Sequence, residues 1–407
     1  MKRDDPLDVA ALPGEMKLLL ALLRRDASGA GRTEIADAAE RTPDPELTQY
    51  VDWRRFLELV RHHRVVPQLY AALKRDASFA APPFVLQSLN HDFRANALRM
   101  LRLTAELERV NAALAAEGVR TLSLKGPALG FELYGDVSRR MSGDLDLLVP
   151  LGDLARAEAV LGELGYEKDD YIETVLNDWK WRHHHVNFVH SLRRTKVELH
   201  WRLHPGPAKE PGFDALWARR TRCRVSASPI FLPGKEDLFL FLAAHGARHG
   251  WSRLRWLADI DRLCALDISW TEARRLANRQ WQRHLAGQSL ALATTLLGAP
   301  RRSGMEAFAG DEKATALAKQ AMFYLRHAVN LHTPPLPDYV AEYHRKHTFA
   351  LMARRQKALM LLSMFHPYPS DAKLLPLPKS LHFLYFPLRP FLWAWRRTRN
   401  LGTTEGV

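Results

Sequence analysis

Cysteine is nearly absent from this chain: its 407 residues include two, Cys223 and Cys264. Two thiols are too few for a disulfide framework or a structural zinc site, so a reducing, cytoplasmic setting is expected. Long uncharged apolar runs are missing as well. No stretch is suited to span a bilayer, and the charged start Met1-Lys2-Arg3-Asp4-Asp5, with only a short apolar run from Met16 to Leu23, shows no signal-peptide pattern. Internal repeats and low-complexity tracts are absent too. Acidic residues are in deficit, because 45 Asp and Glu face 59 Lys and Arg for a formal net charge of +14. Such a surplus favours a polyanionic partner, whether nucleotide, nucleic acid or the anionic face of a membrane. It does not choose among them, since the basic residues form no long run and no recognisable nucleic-acid module.

What the chain does have is apolar periodicity, and enough length for two or three domains around sizeable cores. Trp53 to Arg75 carries Phe56, Leu57, Val60 and Val65 on one helical face, and Phe84 to Glu117 extends the pattern, so residues 1–117 are expected to be a helical region. Gly118 stops the last of these helices. Residues 118–234 then alternate. A short strand Val119–Leu124 precedes a helix from Ala128 to Tyr134, and the apolar run at 144–149 precedes a helix from Asp153 to Leu164 that Gly165 ends. His183–Val189 and Lys196–Trp201 read as a hairpin. This order predicts an α+β fold, a mixed sheet with helices packed on it. Helical patterns return at Leu238–Ala247, Leu254–Ala265 and Trp270–Leu297, giving a C-terminal helical domain over 235–335. A helical, apolar and basic tail follows over 336–407.

The run Asp144-Leu145-Asp146-Leu147-Leu148-Val149 places two carboxylates two residues apart inside apolar sequence. On a strand, residues i and i+2 share a face and lie about 6.6 Å apart. Two anions so close repel one another unless a cation sits between them. Hard oxygen ligands suit Mg²⁺ or Mn²⁺ together with substrate phosphates. Upstream, a strand, the turn Lys125-Gly126-Pro127 and a helix start make a phosphate cradle. Arg140, four residues before Asp144, is placed to reach a phosphate or to neutralise the acids. Downstream, Glu198 shares a strand face with His200 and supplies a third acid.

The run LKGPALGFELYGDVSRRMSGDLDLLVP, followed by VELHW, resembles the uncharacterised bacterial nucleotidyltransferase family within the DNA polymerase β-like superfamily. Similarity extends to His62, Arg64, Val65, Val66 and Pro67, to His245-Gly246-Ala247-Arg248-His249-Gly250-Trp251 and to Leu388-Arg389-Pro390. The resemblance implies a polymerase β-like core flanked by helical regions. It makes Asp144 and Asp146 the metal pair, Glu198 the third acid, and Lys125, Gly126 and Arg140 the phosphate contacts. The implied cofactor is Mg²⁺ or Mn²⁺. The implied substrate is a nucleoside triphosphate, ATP first. In-line attack of an acceptor hydroxyl on its α-phosphorus would release pyrophosphate, the acceptor being a small molecule, a sugar or polysaccharide precursor, or a protein. One departure stands out: the superfamily usually has Gly-Ser at this turn with a shorter gap, whereas here Lys-Gly lies eighteen positions before Asp144.

Other features allow further readings. His200 is placed to touch a phosphate or the acceptor. His245 and His249, four apart, have a zinc-binding spacing but lack the glutamate of a metalloprotease, so a pocket or packing role is expected. His183-His184-His185 in one strand would point alternately, so three consecutive ligands should not converge. The tail from Leu381 to Trp395, aromatic and followed by Arg396, Arg397 and Arg399, suits an interfacial anchor over residues 381–399 at an anionic inner membrane face, or a segment docked on the protein itself. Two alternatives to small-molecule nucleotidyl transfer follow: a toxin-type enzyme modifying a tRNA or other RNA, and a non-catalytic, membrane-associated nucleotide-binding scaffold.

Overall fold

The computed structural model describes residues 7–27, 51–75, 79, 81–169 and 172–398. The expectations placed on Met1–Asp5 and on Arg399 lie outside these. Among the described residues, four N-terminal α-helices come first: α1 (Gly14–Ala27), α2 (Trp53–His62), α3 (Val66–Arg75) and α4 (Pro83–Ala116). Asp52 caps α2 by accepting the N–H groups of Arg54 and Arg55. The helix expected over 53–75 breaks in two at Arg64, whose φ of 55° is left-handed. Pro67 then falls in the first turn of α3, where its missing N–H costs nothing.

Helix α4 is 34 residues long, about 50 Å at 1.5 Å per residue. Its first half, through Val85 and Leu89, packs in the helical core. Its second half, through Met100, Leu103, Leu107, Val110 and Leu114, packs on the sheet. One helix therefore joins both cores.

The sheet contains β1 (Leu122–Ser123), β2 (Leu145–Leu148), β3 (Glu167–Asp169), β4 (His185–His190) and β5 (Thr195–His200), with α5 (Gly126–Tyr134), α6 (Leu154–Glu163) and the short α7 (Trp179–Arg182) between strands. Strand order is β1-β2-β5-β4-β3. Only β2 and β5 pair parallel; the other neighbours are antiparallel. The mixed sheet and its flanking helices make the α+β fold that the sequence pattern predicts. A turn of helix α8 (Phe213–Ala218) and a hairpin of β6 (Thr221–Cys223) and β7 (Ile230–Leu232) complete this lobe.

Six helices follow: α9 (Lys235–Arg248), α10 (Leu254–Ala265), α11 (Trp270–Arg279), α12 (Arg283–Leu297), α13 (Glu312–Arg326) and α14 (Asp338–Leu351). The stretch expected as one helix over 270–297 divides at Gln280–Gln282, where Trp281 takes a φ of 60°. N-terminal and C-terminal helices share one core, in which Leu18, Leu19 and Leu22 meet Leu257, Ile260 and Leu292. Ion pairs lock the loop before β2 into that helical lobe. Asp26, buried on α1, takes Arg75, Arg139 and Arg262 at 2.8, 2.5 and 2.6 Å.

Candidate active site

Alternation builds the floor of the site. Leu145, Leu147, Val197 and Leu199 point into the sheet's core, which turns Asp146 and Glu198 to the other face. The parallel register sets Asp146 directly against Glu198. His200, two residues on, shares the Glu198 face. Ligand atoms of Asp146, Glu198 and His200 all lie within 4.8 Å of one another.

Charge is concentrated here. Lys125 Nζ stands 2.6 Å from Asp146 Oδ1, and His200 Nε2 lies 3.4 Å from Asp146 and 3.6 Å from Glu198. Burial disfavours the charged form of Asp146, but Lys125 and His200 outweigh it and hold the carboxyl below its usual range. The same balance, with His200 dominant, keeps Glu198 ionised. Burial presses the His200 imidazole down, yet Asp146 and Glu198 raise it overall. Asp144, the residue before β2, stands outside the tight cluster. Burial and the charge of Asp146 push its carboxyl up.

A divalent cation fits this donor set. Both oxygens of Asp146 and both ring nitrogens of His200 are sealed from water without a hydrogen bond of good geometry, and Lys125 approaches only as a point charge. Buried polar atoms are normally satisfied. A second group shares His200: the nitrogens of His184, His185 and His200 also lie within 4.8 Å of one another. Strand alternation does not separate His184 from His185, because His184 precedes the first residue of β4. Burial holds both as neutral imidazoles, His185 near 3 and His184 well below its usual value. His183 is no part of the group.

The turn at Lys125-Gly126 abuts the acids despite the long gap, which α5 and a short 3₁₀ turn at Val137–Arg139 fill. Gly126 has a φ of 70°, and a Cβ there would stand 3.4 Å from the Asp144 carbonyl oxygen. Glycine allows both the left-handed backbone and the close approach. Arg140, by contrast, is committed elsewhere. Its Nε and Nη2 donate to Asp259 at 2.9 to 3.1 Å and its Nη1 to Ser142 at 2.9 Å, with 1% of the residue exposed. The structure therefore corrects the expectation that Arg140 faces a phosphate: its donors are used inside the fold.

Other cations, missed by sequence reasoning, stand near the acids. Arg64, Arg253 and Arg255 lie within electrostatic reach of Asp144, and Arg248 within reach of Glu198. None of the four has a carboxylate at ion-pair distance among the described residues. Burial and mutual repulsion push Arg255 down to about 9 and Arg253 to about 10, and burial alone pushes Arg248 to about 10. For Arg64 and Arg248 the signal was present in the HHRVVP and HGARHGW runs, whose resemblance was visible while their roles were not; Arg253 and Arg255 lie just beyond the second run. Gly246 shows why the second run matters: a Cβ there would overlap the Trp251 ring. Trp251 folds back on α9 and sends the chain on to Arg253 and Arg255.

His245 and His249 join no metal-ligating group among the described residues. Their rings lie 4.6 Å apart, and His249 stacks on Trp256 at 5.2 Å and on the exposed His332 at 5.3 Å. Burial holds both well below the usual histidine value, and Lys125 adds to the effect. Among the described residues, what they show is packing against aromatic neighbours.

Comparison with the curated proteins and with the solved structures finds no match. The pattern of the uncharacterised nucleotidyltransferase family does match, over residues 49–298, a span from the N-terminus of α2 to the end of α12 that takes in the acids, Lys125, the histidines of the sheet and all four unpaired arginines. With well over half of its length inside that pattern, this chain belongs to the uncharacterised nucleotidyltransferase family.

Proposed function

We propose that the protein is a metal-dependent enzyme that moves a nucleoside monophosphate from a nucleoside triphosphate, ATP first, to an acceptor hydroxyl on a small molecule, a sugar or polysaccharide precursor, or a protein. The observation that carries this reading is the pairing of Asp146 with Glu198, whose surroundings combine orphaned buried ligand atoms with arginines that have no carboxylate at ion-pair distance among the described residues. Asp146, Glu198 and His200 would hold Mg²⁺ or Mn²⁺, with Asp144 at the rim; a nitrogen donor favours manganese more than magnesium. When bound, such a cation polarises phosphoryl oxygens and offsets charge on the leaving group.

The chain's own side chains do the rest. Arg64, Arg253 and Arg255 seat the triphosphate, and Lys125 with the backbone at Gly126 aligns it. His332, stacked on His249, offers a ring face to the base. The acceptor oxygen bonds to the α-phosphorus, the bond to the bridging oxygen breaks, and pyrophosphate leaves. Glu198 takes the hydroxyl proton. Positioning and charge stabilisation supply most of such catalysis.

The test is incubation with Mg²⁺ or Mn²⁺, each triphosphate labelled at the α-phosphate, and a cell extract, asking which component gains label. Asp146→Asn should cut transfer by roughly a thousandfold or more while thermal unfolding stays cooperative. A variant that transfers label at the parental rate would end this reading.

A further inference from the structure

Residues 352–398 follow the last helix of the shared core and behave unlike the rest of the chain. Of the twenty large apolar side chains exposed among the described residues, eleven lie between Leu359 and Trp395. The same segment holds eight Lys and Arg against one acid, Asp371, which is half of the chain's surplus of +14. Three helices form it: α15 (Arg354–Ser363), α16 (Pro369–Leu374) and α17 (Tyr385–Thr398). In α15, Arg354 and Arg355 are exposed at the start, Leu361 and Leu362 at the end, and no residue is buried.

Helix α17 is inverted in polarity. Tyr385, Arg389, Leu392 and Arg396 form its buried stripe, and both arginines turn inward to the buried Asp371. Phe386, Phe391, Trp393 and Trp395 flank that stripe and are 48%, 73%, 48% and 40% exposed. A helix folded for water alone would place its cations outside and its aromatics inside. The arm is nonetheless anchored. The Arg182 guanidinium lies 4.4 Å from the Trp181 ring and 4.0 Å from the Tyr368 ring, and Nη2 donates to the Ser363 carbonyl at 3.3 Å. Among the described residues no helix is long and apolar enough to cross a membrane.

We propose that this arm docks the protein on the surface of an anionic lipid bilayer, its aromatic flanks entering the headgroup boundary while Arg354, Arg355 and neighbouring basic residues meet the lipid charge. Aromatic rings favour that boundary because one side is apolar and the other wet. Basic residues add attraction that falls away within a screening length. The charge selects lipid over a second copy of this chain, since two arms that each carry surplus positive charge repel.

The experiment is co-sedimentation of the full-length protein with phosphatidylcholine vesicles, alone or with about a third phosphatidylglycerol. Wild-type protein should pellet with the anionic vesicles, remain in solution with the neutral ones, and be released by added salt. Phe391→Glu with Trp393→Glu should weaken the anionic binding at least roughly tenfold, as should Arg354→Glu with Arg355→Glu. All four positions are exposed, and unchanged thermal unfolding confirms the fold. Wild-type protein left in the supernatant, neutral vesicles bound as tightly as anionic ones, or variants that pellet like wild type would each overturn the proposal. So would a dimer that the Phe391 variant dissociates, or RNA binding that the aromatic variant abolishes. None of these readouts depends on nucleotidyl transfer.

Discussion

Two sets of buried and half-buried arginines sit near one site, and they differ in what they touch. Arg139, Arg140 and Arg262 end on the carboxylates of Asp26 and Asp259. Arg64, Arg248, Arg253 and Arg255 meet no carboxylate among the described residues. The first set is neutralised and joins the sheet lobe to the helical lobe. The second has the more distant charges of Asp144 and Glu198 to offset it, and Arg64 repels both Arg253 and Arg255. A buried unpaired charge is costly to stability. The contrast teaches that pairing, and not residue type, separates arginines committed to the fold from those that the proposed triphosphate would meet.

The sharpest way to break this comparison is to swap phenotypes. Arg140→Met leaves Asp259 buried without its cation, so urea unfolding should show a loss of about 3–5 kcal/mol, and adding Asp259→Leu should restore most of it. A stable Arg140→Met protein with selectively weakened triphosphate binding would dissolve the distinction. The second effect is smaller. At about 100 times its dissociation constant, ATP or pyrophosphate should stabilise wild-type protein by about 2.7 kcal/mol. The combined Arg64→Met, Arg253→Met and Arg255→Met variant should show almost none of that gain in a thermal-shift titration, while being no less stable when unliganded.

The smallest effect lies at a carboxylate with ordinary partners. Glu106 on α4 accepts Arg109 Nη2 and Tyr166 O–H, each at 2.6 Å. Burial opposes its charged form, but Arg109 and Tyr166 hold it below the ordinary value of 4.5. A depressed folded-state pKa means that its contribution is full above the unfolded value and lost as pH falls through the folded one. The stability gap between wild type and Glu106→Gln should be about 1–2 kcal/mol at neutral pH and should close below pH 4.5. A gap that widens in acid would refute the assignment.

Much of the core was legible beforehand. The hairpin that carries Glu198, the turn at Gly126 and the strand at Asp146 follow from period-two alternation and turn chemistry, which are local. Helix breaks were less visible: Arg64 and Trp281 take positive φ values that no ordinary propensity announces. Arg140 misled because proximity in sequence to Asp144 was read as proximity in space, whereas Asp259 lies 119 positions further on. His184 and His185 were discounted on strand alternation, and one residue of strand boundary changed the outcome.

By itself the sequence determined the elements and the chemical inventory: acids at alternating positions, a glycine turn, a basic surplus and an aromatic, basic tail. Backbone preference and side-chain period act over a few residues, so one chain read linearly contains them. Tertiary structure alone decided which charges meet. Whether an arginine is neutralised or left for a ligand depends on carboxylates a hundred or more positions away, and Coulomb energy in a buried site depends on distance in space.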